Sequence, residues 1–85
     1  MEVKQLAIKD VEVRNYFLKN TPESYRAPMM MNAAIGQLIR AGIYTMDTLD
    51  AMTDEKIERI RNIGKQRREL VLLMRDKYRI EHSRY

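Results

Sequence analysis

Residues 60–71 read IRNIGKQRRELV. An apolar residue (Ile60), a two-residue turn (Arg61, Asn62), a second apolar residue (Ile63), a glycine and a helix-forming run make the pattern of a helix–hairpin–helix. Ile60 and Ile63 would anchor the hairpin in a core. Gly64 has no Cβ, so the chain can bend there and approach another backbone closely. The helix that follows opens with N–H groups that lack intrahelical partners. Together with the positive end of the helix dipole they form a site for an anion. Lys65, Arg67 and Arg68 fall in this first turn, where positive charge opposes the dipole. That local penalty makes sense if a phosphate is to sit against the amides. Arg61 adds charge just before the turn, and Asn62 and Gly64 lie in it. A short helical turn with no binding role would need the same glycine, so the surrounding charge is what favours binding. Contacts of this kind meet the nucleic-acid backbone, so they position without reading sequence.

Outward from the hairpin, the pattern is helical. Downstream, a long helix from about Lys65 to Arg79 would bury Leu70, Val71, Met74 and Tyr78. Upstream, Thr53 is an N-cap for a helix with Asp54 and Glu55 in its first turn, where acidic groups suit the dipole, and with Ile57 and Ile60 inward. Thr45 caps a short helix from Met46 to Ala51, with Met46 and Leu49 inward. From Met29 to Ala41, Met30, Ala34, Leu38 and Ala41 share one side, with Ile35 and Ile39 beside them. Gly42 is placed to end that helix in a left-handed conformation, with Ile43 tucking back beneath it. Residues 1–28 are less regular. Val3, Leu6, Ala7, Val13 and Phe17 form an imperfect stripe, and Asp10 would cap a helix running to about Asn20. The alternation at Val11 and Val13 equally suits a short strand. Thr21-Pro22-Glu23 reads as a cap followed by proline at the first helical position, and Pro28 marks the next boundary. The expectation is an all-α fold, a compact array of four to five short helices. Residues 1–28 would form a helical extension, 29–80 the helix–hairpin–helix domain and 81–85 a frayed end.

The chain has 85 residues, 45% apolar and 33% charged, a globular composition for one small domain. With no cysteine and one histidine, His82, disulfides and thiolate metal sites are excluded, and no cofactor is implied. No apolar run approaches the ~20 residues that cross a bilayer, so no membrane role and a cytoplasmic location are expected. Residues 1–55 carry 6 basic and 8 acidic side chains, whereas residues 56–79 carry 9 basic and 3 acidic. Basic character confined to one segment points to an anionic partner on that side. A solvated helix face is the other reading of the same charge. Enzyme chemistry is not expected. Ser24 and Ser83 have no second histidine or cysteine to activate them, and Asp47, Asp50, Asp54 and Glu55 read as caps and solvated faces. Seven methionines read as adaptable core filling.

Residues 36–74, GQLIRAGIYTMDTLDAMTDEKIERIRNIGKQRRELVLLM, resemble the C-terminal domain of the bacterial RNA polymerase α subunit. The likeness lies in Leu38, Gly42 and Ile43 at a helix end, Thr45 and Thr53 as leading caps, and Arg61 to Lys65 as the hairpin, with no gap needed from Leu38 to Gly64. It implies a four-helix domain that binds the DNA minor groove and touches transcription factors, with Asn62, Gly64 and Lys65 on the DNA backbone. This chain departs from the family at three positions. Ala33 stands where the family has its chief DNA-contacting arginine, Gly36 where it has an asparagine, and Arg67 where it has a serine. What the resemblance retains is backbone binding through the hairpin. The polymerase assembly domain is not part of the sequence, so either an excised domain or a free-standing relative is expected, and Met1 with the differing first 28 residues favours the second.

Two functions follow. The first is nucleic-acid binding, with DNA backbone phosphates as the partner and a transcription-machinery protein as a further one. The second is a protein-interaction adaptor or dimerisation module, a homodimer through residues 1–35 included. Tyr16, Phe17, Tyr25 and Met29 to Met31 would then be the docking side chains, unless they cover the core of the C-terminal half.

Overall fold

A computed structural model describes residues 11–25 and 28–82. Among them are five α-helices: α1 Val13–Asn20, α2 Pro28–Arg40, α3 Met46–Asp50, α4 Asp54–Glu58 and α5 Gly64–His82. A single 3₁₀ turn, Glu23–Tyr25, lies between α1 and α2. The described residues contain no strand beyond one isolated antiparallel bridge between Glu12 and Thr45.

The central helix is α5, which packs against α2, α3 and α4, while α1 packs on α2 and α3. The local signals act as the sequence indicates from α2 onward. Gly42 ends α2 at φ 85°, and the Ile43 N–H donates to the Leu38 carbonyl at 2.9 Å. Thr45 accepts from the Thr48 N–H and Thr53 from the Lys56 N–H, so each short helix is capped. Ala41 departs from the expectation: it lies in the turn after α2 and is exposed.

The N-terminal region shows both of its sequence signals. The stretch from Val13 is helical, and the residue before it makes a strand-like bridge. The Val13 N–H donates to Tyr44 O at 2.9 Å, and the Met46 N–H to Val11 O at 2.7 Å. The proposed cap Asp10, with Val3, Leu6 and Ala7, lies outside the described residues. Glu12 precedes α1 without a side-chain cap. A 3₁₀ turn follows Pro22, and the Thr21 hydroxyl donates back to the Phe17 carbonyl at 2.6 Å; that carbonyl also accepts the Thr21 N–H at 3.0 Å, so Thr21 closes α1 while its buried hydroxyl gains a partner. Val13, Tyr16 and Phe17 lie in one apolar cluster with Ile35, Leu38, Leu49, Leu70 and Met74. Residue 28 therefore separates two helices that share a core.

Polar contacts fasten the end of α5. Tyr16 Oη donates to Glu81 Oε1 at 2.7 Å, and its ring meets Tyr78 edge-on, with centroids 5.4 Å apart. Burial, then the hydrogen bond to Glu81, hold the Tyr16 phenol well above its ordinary pKa. The same bond lowers that of Glu81. The expected frayed end at 81–85 is thus corrected in part. Glu81 and His82 continue the helix, and His82 stacks on Tyr78. Residues 83–85 lie outside the described residues.

Candidate nucleic-acid interface

The α4–α5 connection is built by backbone conformation. Ile60 and Ile63 are buried and pin both ends of the turn. Asn62 between them adopts φ 61° and Gly64 φ 73°, both left-handed. Asparagine and glycine are the residues that visit this region most readily. The turn is braced by Arg67, whose Nη1 donates to the Asn62 carbonyl at 3.2 Å. A Cβ added at Gly64 would meet nothing within 4 Å, so only the backbone resists substitution there. Gly64→Ala is expected to cost about 1–2 kcal/mol and lower the melting temperature by at least ~4 °C. Asn62→Gly should leave it nearly unchanged. A Gly64→Ala melt indistinguishable from the parent would show that the left-handed turn is not maintained.

The N-terminus of α5 differs from those of α3 and α4. Among the described residues no side chain caps it, so its first N–H groups are left without protein acceptors. Arg61 and Lys65 are exposed and Arg67 and Arg68 half-buried. Among the described residues none of the four has an acidic side chain at ion-pair distance. The structure thus brings together all six residues marked in the sequence, Arg61, Asn62, Gly64, Lys65, Arg67 and Arg68, in one turn and the helix start after it.

The basic segment is not uniformly available. Arg75, nearly buried, is held by Asp54 at 2.6 Å and Asp76 at 2.8 Å, and Arg79 by Asp50 at 2.7 Å. Lys77 pairs with Glu81 at 3.1 Å. Tyr78 donates to Asp47 at 2.7 Å. Three of the four acidic residues that read as caps and solvated faces therefore fasten α5 to the short helices. Within α5 the cations without an ion pair among the described residues, Lys65, Arg67 and Arg68, gather at its hairpin end, away from Arg75 and Arg79.

Two recesses flank the turn where it crosses α2. One, of about 540 Å³, lies between Met29, Met30 and Ala33 of α2 and Ile63 to Arg67. The other, of about 260 Å³, is lined by Gln37, Arg40, Ala41, Ile60, Arg61 and Asn62. Sequence reading missed Arg40 and Gln66, and named Met29 and Met30 as docking side chains without placing them beside the hairpin. A basic residue in the last turn of a helix is already accounted for by the dipole, so Arg40 carried no separate signal. Of the side chains a docking arm would present, Tyr16 and Phe17 are in the core and Tyr25, Met30 and Met31 are partly buried. Met29 is 86% exposed.

Among the described residues no three His, Asp or Glu side chains converge to hold a metal ion, and no helix is long and apolar enough to cross a membrane. Comparison with protein families, curated proteins and solved structures finds no match to this chain.

Proposed function

We propose that this protein is a non-enzymatic nucleic-acid-binding module of the cytoplasm, which grips backbone phosphates of DNA through the 60–64 hairpin and the first turn of α5. The observation that carries this reading is the uncapped start of α5, ringed by Arg61, Lys65, Arg67 and Arg68, none of which makes an ion pair among the described residues. Unfilled N–H donors, a dipole and surplus cations on one spot suit a phosphate group. The resemblance to the RNA polymerase α C-terminal domain supports it, and so does the position of Ala33 in the recess beside Gly64 and Lys65. With alanine in place of the family's arginine, the minor-groove contact from α2 is lost and the backbone contact remains. A role beside the transcription machinery is consistent with that likeness.

Titration of a fluorescent 20-base-pair duplex at several salt concentrations tests the reading. Non-specific affinity of about 10⁻⁴–10⁻⁶ M is expected. Lys65, Arg67 and Arg68 should together contribute about −2.7 to the log–log salt slope, and the Lys65→Ala/Arg67→Ala/Arg68→Ala variant should lose that share. A parent protein with no salt-dependent binding sinks the proposal.

The second reading, a protein-interaction adaptor, draws on the exposed Met29 and the methionine wall of the larger recess. An apolar side chain of an acidic peptide would fit between that wall and Lys65. Met29→Ser would then abolish peptide binding while leaving the duplex salt slope unaltered.

A further inference from the structure

The smaller recess is set apart by its charge. Two arginines, Arg40 from the end of α2 and Arg61 from the hairpin, line one cavity of about 260 Å³. Among the described residues no acidic side chain lies at ion-pair distance from either. Elsewhere the chain neutralises arginines that approach other elements, as at Arg75 and Arg79. Here two like charges share a recess without compensation, an arrangement that an anion would relieve. The remaining polar groups, the carboxamides of Gln37 and Asn62, carry N–H donors. The C-terminal end of α2 presents roughly half a negative charge, which the two full positive charges outweigh. The volume is below the ~300 Å³ at which organic-ligand pockets begin, yet ample for a phosphate group and a few waters at ~30 Å³ each.

We infer that the Arg40–Arg61 cavity takes a second phosphodiester of the bound nucleic acid, distinct from the one at the start of α5. The inference rests on the nucleic-acid reading above. On α2 the two recesses are lined by residues 29–33 and 37–40, stretches whose midpoints lie about 11 Å apart along the helix at its 1.5 Å rise per residue. That span exceeds the step between adjacent phosphates of one strand, so the hairpin straddles non-adjacent phosphates, and Asn62 and Gly64 lie on the ridge between them. Guanidinium groups suit this role because they meet phosphate oxygens in a fork.

The test is the duplex titration at 50 and 200 mM salt with the full chain and four variants. Arg40→Ala should flatten the salt slope by about 0.9, so that its disadvantage against the parent shrinks about threefold between the two salts. Arg40→Lys should restore the slope. Arg14→Ala, which removes an exposed charge on α1, should leave it unchanged. Matching melting curves for parent and Arg40→Ala show that folding is intact. If the triple variant loses its share of the slope while Arg40→Ala keeps the parental value, the second contact is overturned and the hairpin reading stands. If Arg14→Ala flattens the slope as much as Arg40→Ala, only net charge is at work and the cavity is overturned. A parent that does not bind the duplex at all removes both.

Discussion

Phe17→Ala should lower the melting temperature by more than about 12 °C. Phe17 has no exposed surface, and truncating a buried phenylalanine costs about 3–5 kcal/mol through lost transfer energy and the cavity left behind. For a domain of this length each kcal/mol moves the midpoint by about 4–8 °C. Folded domains hold only about 5–15 kcal/mol in total, and small ones sit low in that range, so a sizeable unfolded fraction is expected at 37 °C. Leu18 sits next to it on α1 and is 45% exposed. Leu18→Ala should stay within about 0.5 kcal/mol of the parent. Thermal and urea denaturation of both variants decides the matter. A Phe17→Ala midpoint within a few degrees of the parent would mean that α1 is an appendage and not part of the core.

The second large effect belongs to Arg75. Its Nε and Nη2 donate to Asp76, Nη2 also meets Asp54, and Nη1 donates to the Met52 carbonyl at 3.1 Å. Burial opposes its charge, but the hydrogen bonds to Asp76 and Asp54 outweigh that and hold its pKa above the ordinary arginine value. One guanidinium thus ties α5 to the turn that starts α4. Breaking a fully buried pair costs about 3–5 kcal/mol. Asp54 and Asp76 are themselves 66% and 54% exposed, so they rehydrate when the arginine is gone. The expected cost of Arg75→Ala is therefore about 2–3 kcal/mol, the value of a few charge-assisted hydrogen bonds less that recovery. Arg75→Lys should recover little, because one ammonium cannot reach three acceptors in the same fork. The loss should show as a lower urea midpoint and as faster hydrogen exchange across α4 and the hairpin. Unchanged exchange in α4 would place the role of Arg75 elsewhere.

Much of the helical order was readable because it rests on local chemistry. Thr45, Thr53 and Gly42 announce their caps without reference to anything distant, and the IRNIG turn declares its own left-handed positions. What could not be read depended on partners far along the chain. Arg75 counted as one more cation of a basic segment, since nothing near it in sequence reveals that Met52 and Asp54 surround its head group. Thr21 before proline has the form of an N-cap, and only the fold adds that its buried hydroxyl donates back onto α1. The two signals at residues 11–13 looked exclusive, but the chain satisfies both, one residue in a bridge and the next opening a helix. At the site, the hairpin residues were legible because they are contiguous. Arg40 was not, because only the crossing of α2 over the hairpin makes it a neighbour of Arg61.

The fastening of α1 bears on how the chain is made. Its bridge partner, Thr45, lies in the loop after α2, and its tyrosine contact, Glu81, is 65 residues further on. On a ribosome adding about 5–20 residues per second, those 65 residues take roughly 3–13 s. In the first part of that interval α1 has been synthesised while α2 and α3, on which it packs, have not, and its contacts with Tyr78 and Glu81 come last. Helix formation itself takes about a microsecond, so delivery of α2 and α3 and then of the end of α5, and not local ordering, sets the moment at which the N-terminal segment is fully secured. Until then that segment is the part of a nascent chain most open to proteases and chaperones.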